Sequence, residues 1–122
     1  MTRKEALAEL IAKVEAGEIY ETMGHTIMCQ RAFPKPKDFD GSREAYSNSD
    51  AQQAILAWRN GSLDAAKALH GAVVPEQSIR IERRVGGWVV WLDNPHQGIS
   101  DNPARAWLLA ILRALHSMEP DT

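Results

Sequence analysis

The segment that most constrains the fold is a pair of short β-type runs around Gly86-Gly87, with a helix-forming pattern on either side. In the first run Ile79, Ile81 and Val85 alternate with Arg80, Glu82 and Arg84, the period of two expected of a half-buried strand, and Arg83 stands on the apolar side as the exception. The return strand, Trp88 to Leu92, puts Trp88, Val90 and Leu92 on one face and Val89 and Trp91 on the other. Gly86-Gly87 reads as the two-residue turn between them, where positive φ angles are needed. A strand that is apolar on both faces calls for cover on both sides, and the flanking helices can supply it. The expected fold class is therefore α+β: a layered α/β/α sandwich with a small antiparallel sheet, its hairpin spanning about 78–92.

The flanks are legible from their caps. Ser62 precedes Leu63-Asp64-Ala65-Ala66 as an N-cap, with Asp64 near the positive end of the helix. Asn102-Pro103 starts the last helix, with the capping residue outside and proline at the first helical position. That helix should run to about Ser117, burying Ala104, Trp107, Leu108, Ile111, Leu112 and Leu115 and leaving Arg105 and Arg113 outside. Thr2-Arg3-Lys4-Glu5 has the form of a capping box. It predicts a first helix over about 3–16, with Leu7, Leu10, Ile11 and Val14 along one face and Gly17 as its stop.

The rest is less regular. In 18–33, Tyr20, Met23, Ile27 and Met28 fit a helical stripe that Gly24 and Thr26 weaken, and the balance favours a short helix. The breakers and charges of 33–50 predict a surface loop, and a helix carrying Ile55 and Trp58 should start at Ser49 or Asp50 and end at Asn60-Gly61. Asn94, Pro95, Gly98, Ser100 and Asp101 predict a second loop. Two strands are too few for a stable sheet, so 19–33 or 72–76 must add a strand, or a second chain must.

With 122 residues, residues 1–122 are expected to form a single domain. No apolar run approaches the roughly 18 residues of a membrane span, and Met1-Thr2-Arg3-Lys4-Glu5 lacks a signal-peptide pattern, so a cytoplasmic location is expected. Cys29 is the only cysteine, which rules out an internal disulfide. The net charge of −2 lacks the basic excess of most nucleic-acid binders.

Taken in chain order, Leu7, Leu10, Val14-Glu15-Ala16, Ser62-Leu63-Asp64-Ala65-Ala66, Gly87-Trp88 and Pro103-Ala104-Arg105-Ala106 resemble the phage ABA sandwich domain, a family of small bacteriophage and prophage proteins. The order of these short motifs carries the resemblance. The chain departs from the pattern in the extra helical residues 51–60 and at Pro75-Glu76-Gln77. The resemblance implies an α/β/α sandwich of phage or prophage origin and brings no catalytic residues with it.

Each candidate for chemistry has a plainer reading. His25 and Cys29 share a helical face as metal ligands would, but two ligands do not make a site, and a buried thiol beside a histidine accounts for them. His96, in Asp93-Asn94-Pro95-His96-Gln97-Gly98, is the one acid/base candidate on a loop, although turns use the same residues. Ser62 and Asp64 are better explained as capping groups than as a nucleophile and its partner. Arg80, Arg83 and Arg84 beside Trp88 and Trp91 have the make-up of a nucleic-acid-binding sheet, with Glu82 opposing them. The sequence therefore predicts no catalytic residue, cofactor or metal. It predicts a cytoplasmic, non-enzymatic accessory protein that binds a host or phage protein, or a second copy of itself as a homodimer. A host-directed or anti-defence inhibitor is a special case of that reading. The surface expected to serve is Arg80, Arg83, Arg84 and His96. Nucleic-acid binding through the three arginines is the alternative.

Overall fold

Thr2 opens the first helix as its capping box predicts. Its hydroxyl accepts from the Glu5 N–H at 3.1 Å, and the Glu5 carboxylate accepts from the Thr2 N–H at 3.3 Å. The structure is a computed structural model, and it describes residues 2–18, 23–35, 38–93 and 96–119. Helix α1 (Arg3–Glu15) buries Ala6, Leu7, Leu10 and Val14. Gly17, at φ +75°, takes the left-handed conformation that ends it.

Helix α2 (Met23–Ala32) forms as expected but turns a different face inward. His25, Cys29 and Ala32 are buried at i, i+4, i+7, whereas Met23 and Ile27 are 72% and 45% exposed. Tyr20 lies outside the described residues. The small Cys29 and Ala32 let α2 lie close to α1 and α4, and His25 gains an aromatic neighbour that a solvent-facing histidine would lack. The predicted loop 33–50 contains the single-turn helix α3 (Arg43–Ser47). Ser42 caps it by accepting from the Ala45 N–H at 3.1 Å, and Asp40 in turn accepts from the Ser42 N–H at 2.8 Å. One turn with no buried residue leaves no hydrophobic period to read.

Helix α4 (Asp50–Arg59) starts from Ser49 and buries Ala51, Ala54, Ile55, Ala57 and Trp58. Helix α5 (Leu63–Val73) starts from Ser62, whose hydroxyl accepts from the Ala65 N–H at 3.1 Å. Ser62→Ala should therefore lower stability by about 0.5–2 kcal/mol while Ser62→Asp is tolerated. Thermal melts of the two variants check this, and equal melting of parent and Ser62→Ala would remove the cap from the account.

The sheet is antiparallel, in the order β1 (Arg80–Arg84), β2 (Gly87–Trp91), β3 (Gln97–Ser100). Arg84 pairs with Gly87, so the hairpin turn is Val85–Gly86, one residue earlier than predicted, with Gly86 at φ +92°. The third strand comes from 97–100, inside the predicted loop. Of 19–33, residues 19–22 lie outside the described residues and 23–32 are helical, and 72–76 are helix end and turn, so no described residue of either segment adds a strand. A partner chain is not needed to complete a minimal sheet. Four residues with a single apolar side chain give no alternation, which is why β3 is invisible in the sequence.

Helix α6 (Pro103–Met118) is the axis of the molecule. Asn102 caps it, accepting from the N–H groups of Ala104 and Arg105 at 2.9 and 3.1 Å. Besides the predicted face it buries Ala106, Leu109, Ala110 and Ala114, because β2 and β3 lie on one side of it and α1, α4 and α5 on others. Arg105 and Arg113, expected outside, tie its margins instead. Arg105 donates to the Trp58 carbonyl at 2.8 Å, and Arg113 donates to the Gln97 carbonyl and to the Glu15 carboxylate, both at 2.7 Å. The fold is thus a mixed α+β domain of six helices and a three-stranded open sheet among the described residues. None of those helices is long and apolar enough to cross a membrane.

Candidate interaction surface

The strand register divides the sheet into two faces. Val90, Leu92 and the half-buried Trp88 turn towards α6, with Ile81 and Arg83 at the edge of that side. The outer face carries Arg80, Glu82 and Arg84 from β1, Val89 and Trp91 from β2, and Gln97 and Ile99 from β3. The end of α1 borders it at Ile99, and no described helix packs closely against β1. A layer on this second face, which the two-faced apolar pattern calls for, is not seen among the described residues. Val89 is nevertheless buried, at 7% exposure, while Ile99 is 53% exposed.

Glu82 organises the charges on this face. Its carboxylate accepts from Arg80 at 2.9 Å and from Arg84 at 3.2 Å, and those hydrogen bonds hold its pKa below the usual carboxylate value. The two guanidinium groups lie 4.6 Å and 5.1 Å from the centroid of Trp91, within cation–π range. The third predicted arginine is not part of this group. Arg83 lies on the other face, its guanidinium 5.9 Å from the Trp88 centroid. His96 is separate again. Its carbonyl accepts from the Leu92 N–H at 2.9 Å to close the β2–β3 connection, and its Nε2 is 3.4 Å from the Ser117 hydroxyl of α6. The structure therefore brings Arg80 and Arg84 together and sets Arg83 and His96 apart.

The other candidates resolve into structural roles. The His25 ring packs 4.9 Å from Trp58, and its Nε2 is 3.4 Å from the Glu18 carboxylate. Cys29 is buried, and burial pushes its thiol up to about 12. No group of three or more His, Cys, Asp or Glu among the described residues is placed to hold a metal ion.

Two features had no warning in the sequence. Trp107 donates its indole N–H to Nδ1 of His70 at 3.1 Å. Because indole only donates, Nδ1 must accept, so the ring proton sits on Nε2 and is donated to the Gln77 carbonyl at 2.8 Å. This neutral, doubly bonded histidine locks the end of α5 to α6. The second feature is a cavity of about 320 Å³ between α2 and α4, walled by Phe33, Phe39, Tyr46 and Ile55. Lys35 lines it and donates to the Tyr46 hydroxyl at 2.9 Å. Asp50 lines it with its carboxyl pKa raised by partial burial. The nearby Ser49 hydroxyl already caps α4 and donates to the Tyr46 carbonyl, so it is engaged in structure. Both features depend on residues far apart in sequence.

No family model, curated protein or solved structure matches the chain.

Proposed function

We propose that the chain is a cytoplasmic phage or prophage accessory protein that works without catalysis, by binding another protein on the open face of its sheet. The observation that carries this reading is the contrast between the two faces. One is sealed by α6, while the other presents Trp91 and the half-exposed Ile99 inside a frame of paired charges. A partner laid over Trp91, Val89 and Ile99 would complete the α/β/α layering that the hairpin's composition favours. Phage origin rests on the order of motifs described above, and inhibition of a host or defence complex is one form such binding takes.

Nucleic-acid binding through Arg80 and Arg84 is the second reading, favoured by their stacking on Trp91. Glu82 weighs against it, since phosphate would have to draw both arginines from an existing carboxylate partner.

Salt separates the two readings, because phosphate contacts weaken steeply as counterions are added. The protein should not retain short DNA or RNA at about 150 mM salt, where exposed charges are screened within roughly 8 Å. Immobilised protein should instead capture one host or phage protein at that salt, and Ile99→Asp should release it. A nucleic-acid complex that survives there and is lost in the Arg80→Ala/Arg84→Ala double variant would put the second reading first.

A further inference from the structure

The sheet has one unpaired edge whose hydrogen-bonding groups can be assigned residue by residue. The Leu92 N–H donates to the His96 carbonyl, so on β2 the main chain of Leu92, Val90 and Trp88 points towards β3. By alternation the main chain of Trp91, Val89 and Gly87 points towards β1, where the partners are Arg80, Glu82 and Arg84. The main-chain groups of Ile81 and Arg83 therefore point away from the sheet. On the α6 side of that edge Ile79 is 38% exposed and Ile81 40%, with the exposed Arg83 following them. Beyond β2, no described element packs closely against β1.

We propose that a second copy of this chain pairs antiparallel with β1, centred on Ile81, to join two three-stranded sheets into one of six strands. This goes beyond the outer-face reading, because it uses the strand edge and leaves the outer face free for another partner.

Charge and hydrogen-bond phase together select the register. With Ile81 opposite the partner's Ile81, the outward main-chain groups of both strands meet, and Ile79 and Arg83 exchange bonds with the partner's Arg83 and Ile79. Arg80 then stands opposite the partner's Glu82, and Glu82 opposite the partner's Arg80. These are non-hydrogen-bonded positions, in which side chains approach most closely. The Glu82 carboxylate already holds Arg80 and Arg84 of its own chain but has lone pairs for a third donor. On the opposite face the two Ile81 side chains cover each other, and the Arg83 stem covers Ile79.

The neighbouring registers are worse. Centring on Glu82 sets glutamate against glutamate and Arg80 against Arg84 twice. Centring on Arg83 sets arginine against arginine and drives the Val85–Gly86 turn into the ladder. Alternation of sign along Arg80-Glu82-Arg84 thus leaves one register that is favourable on both faces.

Cross-linking reads the register directly. Ile81→Cys would place two thiols on Cα atoms about 5.5 Å apart, inside the range a disulfide spans. Arg83→Cys would place them about 13 Å apart, from the strand rise of roughly 3.3 Å per residue. The native Cys29 stays silent because it is buried. Under mild oxidation Ile81→Cys should form a covalent dimer that Arg83→Cys does not, and the parent should sediment at twice its 13.6 kDa chain mass.

Ile81→Pro removes an N–H that the isolated fold does not use, and edge strands tolerate proline there. It should give a folded monomer, its melting temperature within a few degrees of the parent's at a concentration where both are monomeric. Should that variant fail to fold, Glu82→Arg replaces the test, since it opposes arginine to arginine across the pair and should shift the parent dimer to monomer. A parent that stays monomeric at about 100 μM overturns the proposal, as does equal cross-linking at both positions or cross-linking at Arg83→Cys alone. Capture of a partner through the outer face, lost in Ile99→Asp and kept in Ile81→Pro, would survive those failures.

Discussion

Gly98→Ala should give a protein that fails to fold cooperatively, or that melts more than about 10 °C below the parent. Gly98 stands in β3 opposite Val90, with its missing side chain directed at the helix that runs across the sheet. An added Cβ would collide with the Ala106 carbonyl oxygen and would lie 2.7 Å from the Ala110 nitrogen and 2.9 Å from the Leu109 Cβ. Two of these three are main-chain atoms inside α6, which cannot move without breaking helical hydrogen bonds. The strand is equally fixed, by its ladder to β2 and by the 2.7 Å bond from Arg113 to the Gln97 carbonyl. Overpacking a core typically costs about 1–3 kcal/mol and more where the neighbours cannot yield. Against a total stability of about 5–15 kcal/mol that is a large loss. Gly71→Ala is the control. It lies in α5 with open space around it, so alanine there should be neutral or stabilising by up to about 1 kcal/mol. A Gly98→Ala protein melting within about 2 °C of the parent would show that β3 does not rest on α6.

That glycine also marks the limit of what the sequence discloses. Caps are local, so Thr2 with Glu5, Ser62, and Asn102 with Pro103 could be placed from a few neighbouring residues, and the structure has each of them. The hairpin is readable because Ile79, Ile81 and Val85 alternate with Arg80, Glu82 and Arg84, and two glycines separate that run from the continuous apolar run Trp88 to Leu92. Its turn slipped by one because two consecutive glycines offer two positions for the same bend. In Gln97-Gly98-Ile99-Ser100 the features that make a strand, pairing with β2 and close approach to α6, belong to other elements. The burial of His25 likewise depends on Trp58 and Glu18, which neither α2 nor its periodicity contains. The candidate surface divides in the same way. Arginines near tryptophans could be seen in the sequence, but the strand register alone shows that Arg80 and Arg84 share Trp91 and Glu82 while Arg83 faces away. The residues around His96 have the composition of a loop, but its ring meets a serine of α6.

Trp58→Ala should destabilise the protein by about 3–5 kcal/mol, the range for truncating a buried large aromatic side chain. The indole is 1% exposed in the core where α4 meets α2, α5 and α6, and it packs against His25. It also donates to the Glu18 carbonyl at 2.8 Å, which holds the segment after α1 against α4. The bond from Arg105 to residue 58 uses the main-chain carbonyl and survives the substitution, so the loss belongs to the side chain. Trp58→Phe separates its two parts. It keeps most of the apolar volume and removes the donor, so it should cost about 0.5–1.5 kcal/mol for the hydrogen bond plus a smaller packing term. Urea unfolding followed by far-UV circular dichroism avoids confusion with the other three tryptophans. At about 1–3 kcal/mol per molar urea, the alanine variant's midpoint should fall by roughly 2 M. Equal losses in the two variants would assign the role of Trp58 to its hydrogen bond rather than its volume. No loss in either would mean that α4 does not pack into this core through Trp58.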